Sequence, residues 1–121
     1  MLLHVPILIR IRSGRIRHEF TPDQIVQVQS VGNYSMFCLT DGRQLLSCRT
    51  LKLYQDMLPA YFIRVHRRCL VNGYFVAQRI DTDRLLLHTG EEVPLSRRSI
   101  GHYRRCTNRL HSQPRPALAY L

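Results

Sequence analysis

The sequence has no apolar run long enough to form a membrane-spanning helix. Such a helix needs about 20 consecutive apolar residues, whereas the apolar stretch at 1–11 is interrupted by His4, Pro6 and Arg10. This stretch does not resemble a signal peptide either. We therefore expect a cytoplasmic protein without a membrane partner.

The sequence also lacks closely spaced pairs of cysteines. The four cysteines form no C-x-x-C motif and lie among hydrophobic neighbours, at Cys38, Cys48, Cys69 and Cys106. This setting is typical of small buried thiols in a reducing compartment, so we expect no disulfides.

Acidic residues and lysine are scarce. Lysine and arginine together number 18 against 8 aspartates and glutamates, which gives a net charge of +10, and Lys52 is the single lysine. Guanidinium groups carry forked donors that match phosphate oxygens and the O6/N7 edge of guanine, which favours nucleic acid over acidic lipid as the partner. A generally basic soluble domain has the same composition, and composition alone does not separate these two interpretations.

The chain of 121 residues is close to the size of one domain and shows no internal repeat or linker. Alternation of apolar and polar residues predicts short strands in its first half, at 7–12, 15–20, 25–29, 34–40 and 43–47. At most one short helical turn, at Thr21 to Asp23, precedes the third of them.

The clearest hairpin has an Asp-Gly turn at 41–42, a pair that tolerates the positive φ angles of a two-residue turn. With that turn, Thr40 pairs with Arg43, and Cys38 lies opposite Leu45. The two cysteines of this hairpin are then not cross-strand partners, which argues against a disulfide between them.

The second half of the chain predicts two helices and further strands. Thr50 can cap a short helix over 51–58, which Pro59 ends, and Ser96 can cap a final helix over about 97–109. Strands are predicted at 62–66, 75–80, 84–88 and 92–95, with an irregular stretch at 67–73. Strands this short, with turn signals about every 8–12 residues, indicate a mostly β, antiparallel fold with one or two helices. We expect one domain over 1–110 and a C-terminal tail over 111–121.

Two clusters of arginine lie at the ends of predicted elements. His66, Arg67 and Arg68 follow a hydrophobic strand and can form an anion site, although a solvated surface is the plain alternative. Arg97 and Arg98 occupy the first turn of the final helix, where their charge opposes the helix macrodipole at a cost of a few tenths of a kcal/mol. A bound anion would relieve that repulsion, because free N–H groups and guanidinium groups can address one phosphate or base edge.

These clusters belong to four segments that together resemble the signature of the LytTR family of DNA-binding domains. In chain order the segments are Gly32-Asn33-Tyr34, Phe62-x-Arg64-Val65-His66-Arg67, Val71-Asn72 and Val93-Pro94-Leu95-Ser96-Arg97-Arg98. The resemblance spans about residues 7–110. It implies an elongated antiparallel β fold with a short mid-chain helix and a C-terminal helix, whose loops enter the major groove, as part of a bacterial transcription regulator.

The resemblance implies double-stranded DNA as the partner, with a second copy of the protein on repeated half-sites as a further expectation. Seven residues are expected to contact DNA: Asn33, Tyr34, His66, Arg67, Arg68, Arg97 and Arg98. Arg98 is the strongest candidate for reading guanine, and Tyr34 can equally be half-buried packing. Arg49 can add a phosphate contact but is interpreted as solvated, and Asn72 is interpreted as a residue that satisfies backbone groups in the turn before Gly73.

Two features depart from the family pattern. Arg68 stands where a small hydroxyl residue is frequent, so the phosphate contacts there can differ. Such domains also usually follow a phosphoacceptor receiver domain, for which these 121 residues have no room. The sequence therefore leaves the activating signal open.

An enzymatic site and a metal site agree less well with the sequence than DNA binding does. Cys69 with His66 as its base would be a nucleophile without a visible third group, and a metal site of His66, Cys69, His102 and Cys106 would be opposed by adjacent arginines. We expect no enzymatic activity, no metal and no cofactor. A LytTR fold that binds RNA or a protein partner without base readout remains the alternative.

Overall fold

The computed structural model describes residues 8–111, with side chains to Leu110, as ten strands, two α-helices and three short 3₁₀ turns. The strands are β1 (Ile9–Ser13), β2 (Ile16–Phe20), β3 (Ile25–Val31), β4 (Tyr34–Leu39), β5 (Gln44–Ser47), β6 (Phe62–His66), β7 (Cys69–Asn72), β8 (Val76–Asp81), β9 (Arg84–Leu87) and β10 (Glu92–Pro94). The helices are α1 (Leu51–Met57) and α2 (Ile100–His111), and the 3₁₀ turns are Pro22–Gln24, Gly73–Phe75 and Arg97–Ser99. The first residue of the predicted tail, His111, is the last residue of α2, and the rest of that tail, like the predicted start of the first strand at Ile7, lies outside the described residues.

The strands form three antiparallel sheets. The central sheet has the order β5-β4-β3-β7-β6, and it is accompanied by the ribbon β1-β2 and by the three-stranded sheet β10-β9-β8. This arrangement confirms the prediction of a mostly β, antiparallel fold with a short mid-chain helix and a C-terminal helix. No helix in the described part of the chain is long and apolar enough to cross a bilayer.

Each face of the central sheet buries its own apolar cluster. On one face, Phe37 and Leu70 pack with residues of the β1-β2 ribbon and of α1. On the other face, Ile63 and Val71 pack with residues of the three-stranded sheet and with Tyr103 of α2. Covering both faces excludes water from the sheet and leaves the ends of its strands as the exposed features.

Strand β7 was missed by the prediction of an irregular stretch at 67–73. All four of its residues are buried, since it lies between β3 and β6 and is covered on both faces. A strand buried on both sides has no alternation of apolar and polar residues, which is the signal that identified the other strands.

The predicted register of the β4-β5 hairpin was wrong by one residue. Cys38 lies opposite Gln44, not opposite Leu45, because Leu39 and not Thr40 closes the turn: its N–H donates to the carbonyl oxygen of Arg43 at 2.9 Å. The loop thus has three residues, and Gly42, at φ 89°, supplies its left-handed position.

The termini of the predicted helices agree with the structure in part. The Thr50 side chain accepts from the backbone N–H of Leu53 at 3.4 Å and caps α1 as expected. The final helix begins as the 3₁₀ turn Arg97–Ser99, and the Ser96 hydroxyl contacts the Ser99 hydroxyl at 2.8 Å, not a backbone N–H.

Of the four free cysteines, Cys48 is exposed, contrary to the expectation of buried thiols.

Candidate nucleic-acid interface

Two hairpin turns meet at one end of the central sheet because its strands are antiparallel. β3 continues into β4 through Gly32 and Asn33, and β6 continues into β7 through Arg67 and Arg68. The end of β3 lies beside the start of β7, where the backbone N–H of Ser30 donates to the carbonyl oxygen of Arg68 at 2.9 Å. The two turns are therefore neighbours in space.

The segment that leads into α2 reaches the same end. The backbone N–H of Ser96 donates to the carbonyl oxygen of Val65 at 2.8 Å, which holds the 3₁₀ turn Arg97–Ser99 beside the last residues of β6. We call this end of the sheet the arginine end. It brings together all the residues predicted from the sequence to contact DNA, namely Asn33, Tyr34, His66, Arg67, Arg68, Arg97 and Arg98. All are exposed except His66, which is half-buried.

Arg49 joins the arginine end, although its sequence context favoured a plain solvated arginine. Ser35 near the start of β4 pairs with Ser47 at the end of β5, and the Ser35 hydroxyl donates to the carbonyl oxygen of Arg49 at 2.7 Å. The signal that places Arg49 is the register of the hairpin. The register predicted from the Asp-Gly turn, which pairs Ser35 with Cys48, also puts Arg49 at this end of the hairpin, although the actual pairing differs by one residue.

Within residues 8–110, no acidic side chain forms an ion pair with the arginine end. The ion pairs within residues 8–110 all lie elsewhere, at Arg10–Glu19, Arg43–Asp41, Lys52–Asp56 and Arg84–Glu92. The guanidinium groups of Arg67, Arg68, Arg97 and Arg98 make no hydrogen bond in that part of the chain. Exposed like charges collected at one end repel one another, and a polyanion bound there would remove that repulsion.

His66 has a defined orientation in the turn. The backbone N–H of Arg68 donates to its Nδ1 at 3.1 Å. In the neutral imidazole the proton then resides on Nε2, because Nδ1 serves as the acceptor. His66 is thereby a donor with a fixed direction, which is the property that recognition of a base edge requires.

Arg64 was named from the sequence only as part of the signature segment, yet the structure places its side chain against the His66–Arg68 turn. Its Nε donates to the carbonyl oxygen of His66 at 3.1 Å, its Nη2 donates to that of Arg67, and its Nη1 donates to Oε1 of Gln55 in α1 at 2.8 Å. Burial lowers the pKa of this guanidinium, whose three acceptors are all neutral. Residues two positions apart in a strand lie on the same face, so the spacing of Arg64 and His66 in the sequence already indicated that their side chains lie close together.

Tyr34 and Asn33 form the remaining side of the arginine end. Tyr34 is 49% exposed, and its partner across the turn, Val31, is 46% exposed. The structure thus favours an available ring over the alternative of buried packing. Gly32, at φ 59°, takes the left-handed position of this turn, so Asn33 keeps an ordinary backbone conformation.

Asn72 lies at the opposite end of β7 and is completely buried. Its Nδ2 donates to the carbonyl oxygen of Ile25 at 3.0 Å, and its Oδ1 accepts from the backbone N–H of Tyr74 at 3.0 Å. The prediction that it satisfies backbone groups before Gly73 is confirmed.

The chemistry needed for a cysteine nucleophile is not favoured. Cys69 is His66's partner across the bulged β6-β7 pair, but its Sγ contacts Oε1 of Gln27 at 3.6 Å. Burial raises the pKa of the Cys69 thiol to about 12, so it stays protonated and weakly nucleophilic near neutral pH. No group of three or more potential metal ligands occurs within the described residues.

Comparison with known proteins gives a consistent result. Residues 17–106 match the family model of the LytTr DNA-binding domain. A solved LytTr DNA-binding domain from Bacillus cereus, assigned to a methyl-accepting/DNA response regulator, superposes with a TM-score of 0.71 over 82% of this chain and 94% of that chain. The two chains are 19% identical, so this likeness establishes the fold alone. No curated protein sequence is significantly similar to the chain.

Proposed function

The chain belongs to the LytTR family of DNA-binding domains, and on this premise we propose that it binds a specific double-stranded DNA sequence as part of a bacterial transcription regulator. The LytTR domain is a DNA-binding fold and not a catalytic one. The observation that carries the proposal is the arginine end, where guanidinium groups from separate parts of the chain converge without an ion pair to any of the described residues.

Base readout is assigned to Arg98 and His66. A guanidinium group can donate both of its parallel hydrogen bonds to O6 and N7 of guanine, and the Nε2–H of an oriented imidazole can donate to one acceptor in the major groove. Arg98 is exposed at the start of the 3₁₀ turn before α2, where free backbone N–H groups add to the attraction for an anion.

Phosphate contacts are assigned to Arg67, Arg68 and Arg97, with Arg49 as an addition from the neighbouring hairpin. Each phosphate that an arginine neutralises releases condensed counterions and makes binding dependent on salt. Asn33 and Tyr34 flank these residues and can contact a sugar, a phosphate or a base edge. Two copies of the protein would bind when the DNA offers two repeated half-sites.

The proposal is tested by selecting binding sites from random duplexes and then titrating the protein with the selected duplex. A random duplex of equal length, a single-stranded RNA and an unrelated polyanion are titrated at the same salt concentration. We expect the selected duplex to bind at least about 10³-fold more tightly than the random duplex. Equal affinity for both duplexes, or preference for the RNA, would contradict sequence-specific DNA binding.

A further inference from the structure

Arg64 joins the turn at His66 and Arg67 to α1 behind the arginine end. One planar guanidinium contacts two successive carbonyl oxygens, those of His66 and Arg67, and also the side chain of Gln55 in α1. The fork of donors in arginine is rigid, so these contacts fix the planes of the two peptide groups relative to each other. The directions in which Arg67 and Arg68 leave the backbone depend on those planes.

A β-bulge explains why the carbonyl groups are available to Arg64. The β6-β7 register shifts between Arg64 and His66, so Val65 has no partner of its own across the ladder. The carbonyl oxygen of Val65 accepts instead from Ser96, while those of His66 and Arg67 accept from Arg64. Bulges commonly redirect side chains next to functional sites.

We propose that Arg64 is a positioning residue for DNA recognition, which holds the His66–Arg68 turn in the shape that presents its side chains to the duplex. This inference rests on the proposed function. Arg64 is not itself assigned a DNA contact, since each of its three guanidinium nitrogens already donates to an oxygen of the protein.

The chain contains a matched control for this proposal. In the β8-β9 hairpin, Arg79 donates from Nε to the carbonyl oxygen of Asp81 at 3.2 Å and from Nη2 to that of Thr82 at 2.8 Å. The register of that hairpin also shifts, between Arg79 and Asp81. Arg79 thus reproduces the two backbone contacts of Arg64 next to a bulge. The turn, however, carries two acidic residues, Asp81 and Asp83, which phosphate groups would repel.

Lysine is the informative replacement at both positions. Arg64→Lys and Arg79→Lys keep the positive charge and lose the planar fork, so they separate geometry from electrostatics. Gln55→Ala, which removes only the contact with α1, is a milder third variant. It keeps the proposal testable if Arg64→Lys fails to fold.

The first measurement needs no DNA. Chemical shifts and hydrogen exchange of the Arg68 amide, which donates to His66 Nδ1 at 3.1 Å, report the shape of the turn. We expect Arg64→Lys to shift this signal and to speed its exchange, Gln55→Ala to do so less, and Arg79→Lys to leave it unchanged. An unchanged Arg68 amide in Arg64→Lys would overturn the positioning role.

The second measurement is the ratio of affinities for the selected and random duplexes as a function of salt. Arg64→Lys should lower this ratio about tenfold, as expected when a hydrogen-bonded contact to a base is misplaced. It should leave the salt slope unchanged, because no phosphate contact is lost. A changed slope with an unchanged ratio would instead assign Arg64 to a phosphate contact and overturn the proposal. If the unmodified protein shows no preference between duplexes, the proposed function fails, and the amide signal alone decides whether Arg64 holds the turn.

Discussion

The backbone N–H of Ser96 donates a 2.8 Å hydrogen bond to the carbonyl oxygen of Val65. Leu95, the preceding residue, donates at 2.8 Å to the carbonyl oxygen of Asp83 in the β8-β9 turn. Two successive N–H groups therefore tie the entry of α2 to two different sheets. The position of Arg97 and Arg98 beside the His66–Arg68 turn depends on this pair of bonds.

Replacing Ser96 with proline should detach the arginine pair from β6. The φ of Ser96, −75°, is one that proline adopts, but the proline ring replaces the N–H with a carbon that must push the carbonyl oxygen of Val65 away. We expect a loss of at least about 1 kcal/mol in the free energy of unfolding, measured by urea denaturation, from the missing hydrogen bond and this displacement. Affinity for the selected duplex should fall as well. Ser96→Ala, which keeps the N–H, is the control, and equal effects of the two variants would contradict this role of the bond.

Arg98→Ala should weaken binding to the selected duplex by about 1–3 kcal/mol and relax the preference at one base pair, because a bidentate contact to guanine is lost. Titration against duplexes substituted at each position would identify that base pair. Arg105→Ala, an exposed arginine farther along α2, removes the same charge and should retain the preference. Equal losses on selected and random duplexes would exclude base readout by Arg98.

Arg67→Ala should instead lower affinity for all duplexes and reduce the salt dependence. Each phosphate contact contributes about 0.9 to the slope of log K against log salt concentration, so the slope should become shallower by about that amount. Arg43→Ala, at the opposite end of the central sheet, serves as the control. An unchanged slope for Arg67→Ala would show that this arginine neutralises no phosphate.

Asn72→Ala should destabilise the fold without altering recognition. It leaves the carbonyl oxygen of Ile25 and the N–H of Tyr74 buried without their partner, which costs about 2–4 kcal/mol in the free energy of unfolding. Asn108→Ala removes an exposed asparagine from α2 and should leave stability nearly unchanged. The ratio of affinities for selected and random duplexes should be preserved in the folded fraction of Asn72→Ala. A changed ratio would assign Asn72 a part in recognition.

Stability should decline in alkaline solution because of two buried thiols. Burial, with a smaller effect of the Glu91 charge, raises the pKa of Cys38 from 9.0 to about 11, and burial raises that of Cys69 to about 12. The folded state holds these protons more tightly than the unfolded state. The stabilisation is therefore fully present below about pH 9 and is lost as pH rises through the folded pKa values.

Urea denaturation at about pH 8 and about pH 10.5 measures this effect. Buried tyrosines with raised pKa values, such as Tyr54, contribute in the same direction. The control is therefore the double variant Cys38→Val and Cys69→Val, whose stability should fall less between the two pH values than that of the unmodified protein. Equal declines would exclude the thiols as the cause.

Local sequence patterns predicted most of the strands and helices. They failed where contacts between residues far apart in the sequence determine the structure. Alternation identified the half-buried strands, and Thr50 with Pro59 marked the limits of α1. β7 escaped detection, since it is buried on both faces. The register of β4-β5 was wrong because one extra turn residue changes every cross-strand partner.

The residues of the candidate site could be named from the sequence, but their arrangement could not. The signature segments contain Arg67 and Arg98, but the sequence does not indicate how close together these residues lie in space. Arg64 belongs to the same segment, yet its contacts with two backbone carbonyl groups follow from the bulge between β6 and β7. Arg49 was interpreted as solvated because its neighbours in the sequence gave no further reason to place it in the site, and the hydrogen bond from Ser35 to its carbonyl oxygen holds it at the arginine end.

The sequence by itself determined the scarcity of acidic residues, the run of short strands, and the family to which the arginine clusters belong. These are properties of composition and of near neighbours along the chain. The tertiary structure decided that the clusters meet at one end of the central sheet, with Val65 and Ser96 as the link. Strand order and register arise from the burial of side chains that are far apart in sequence, and no local pattern records them.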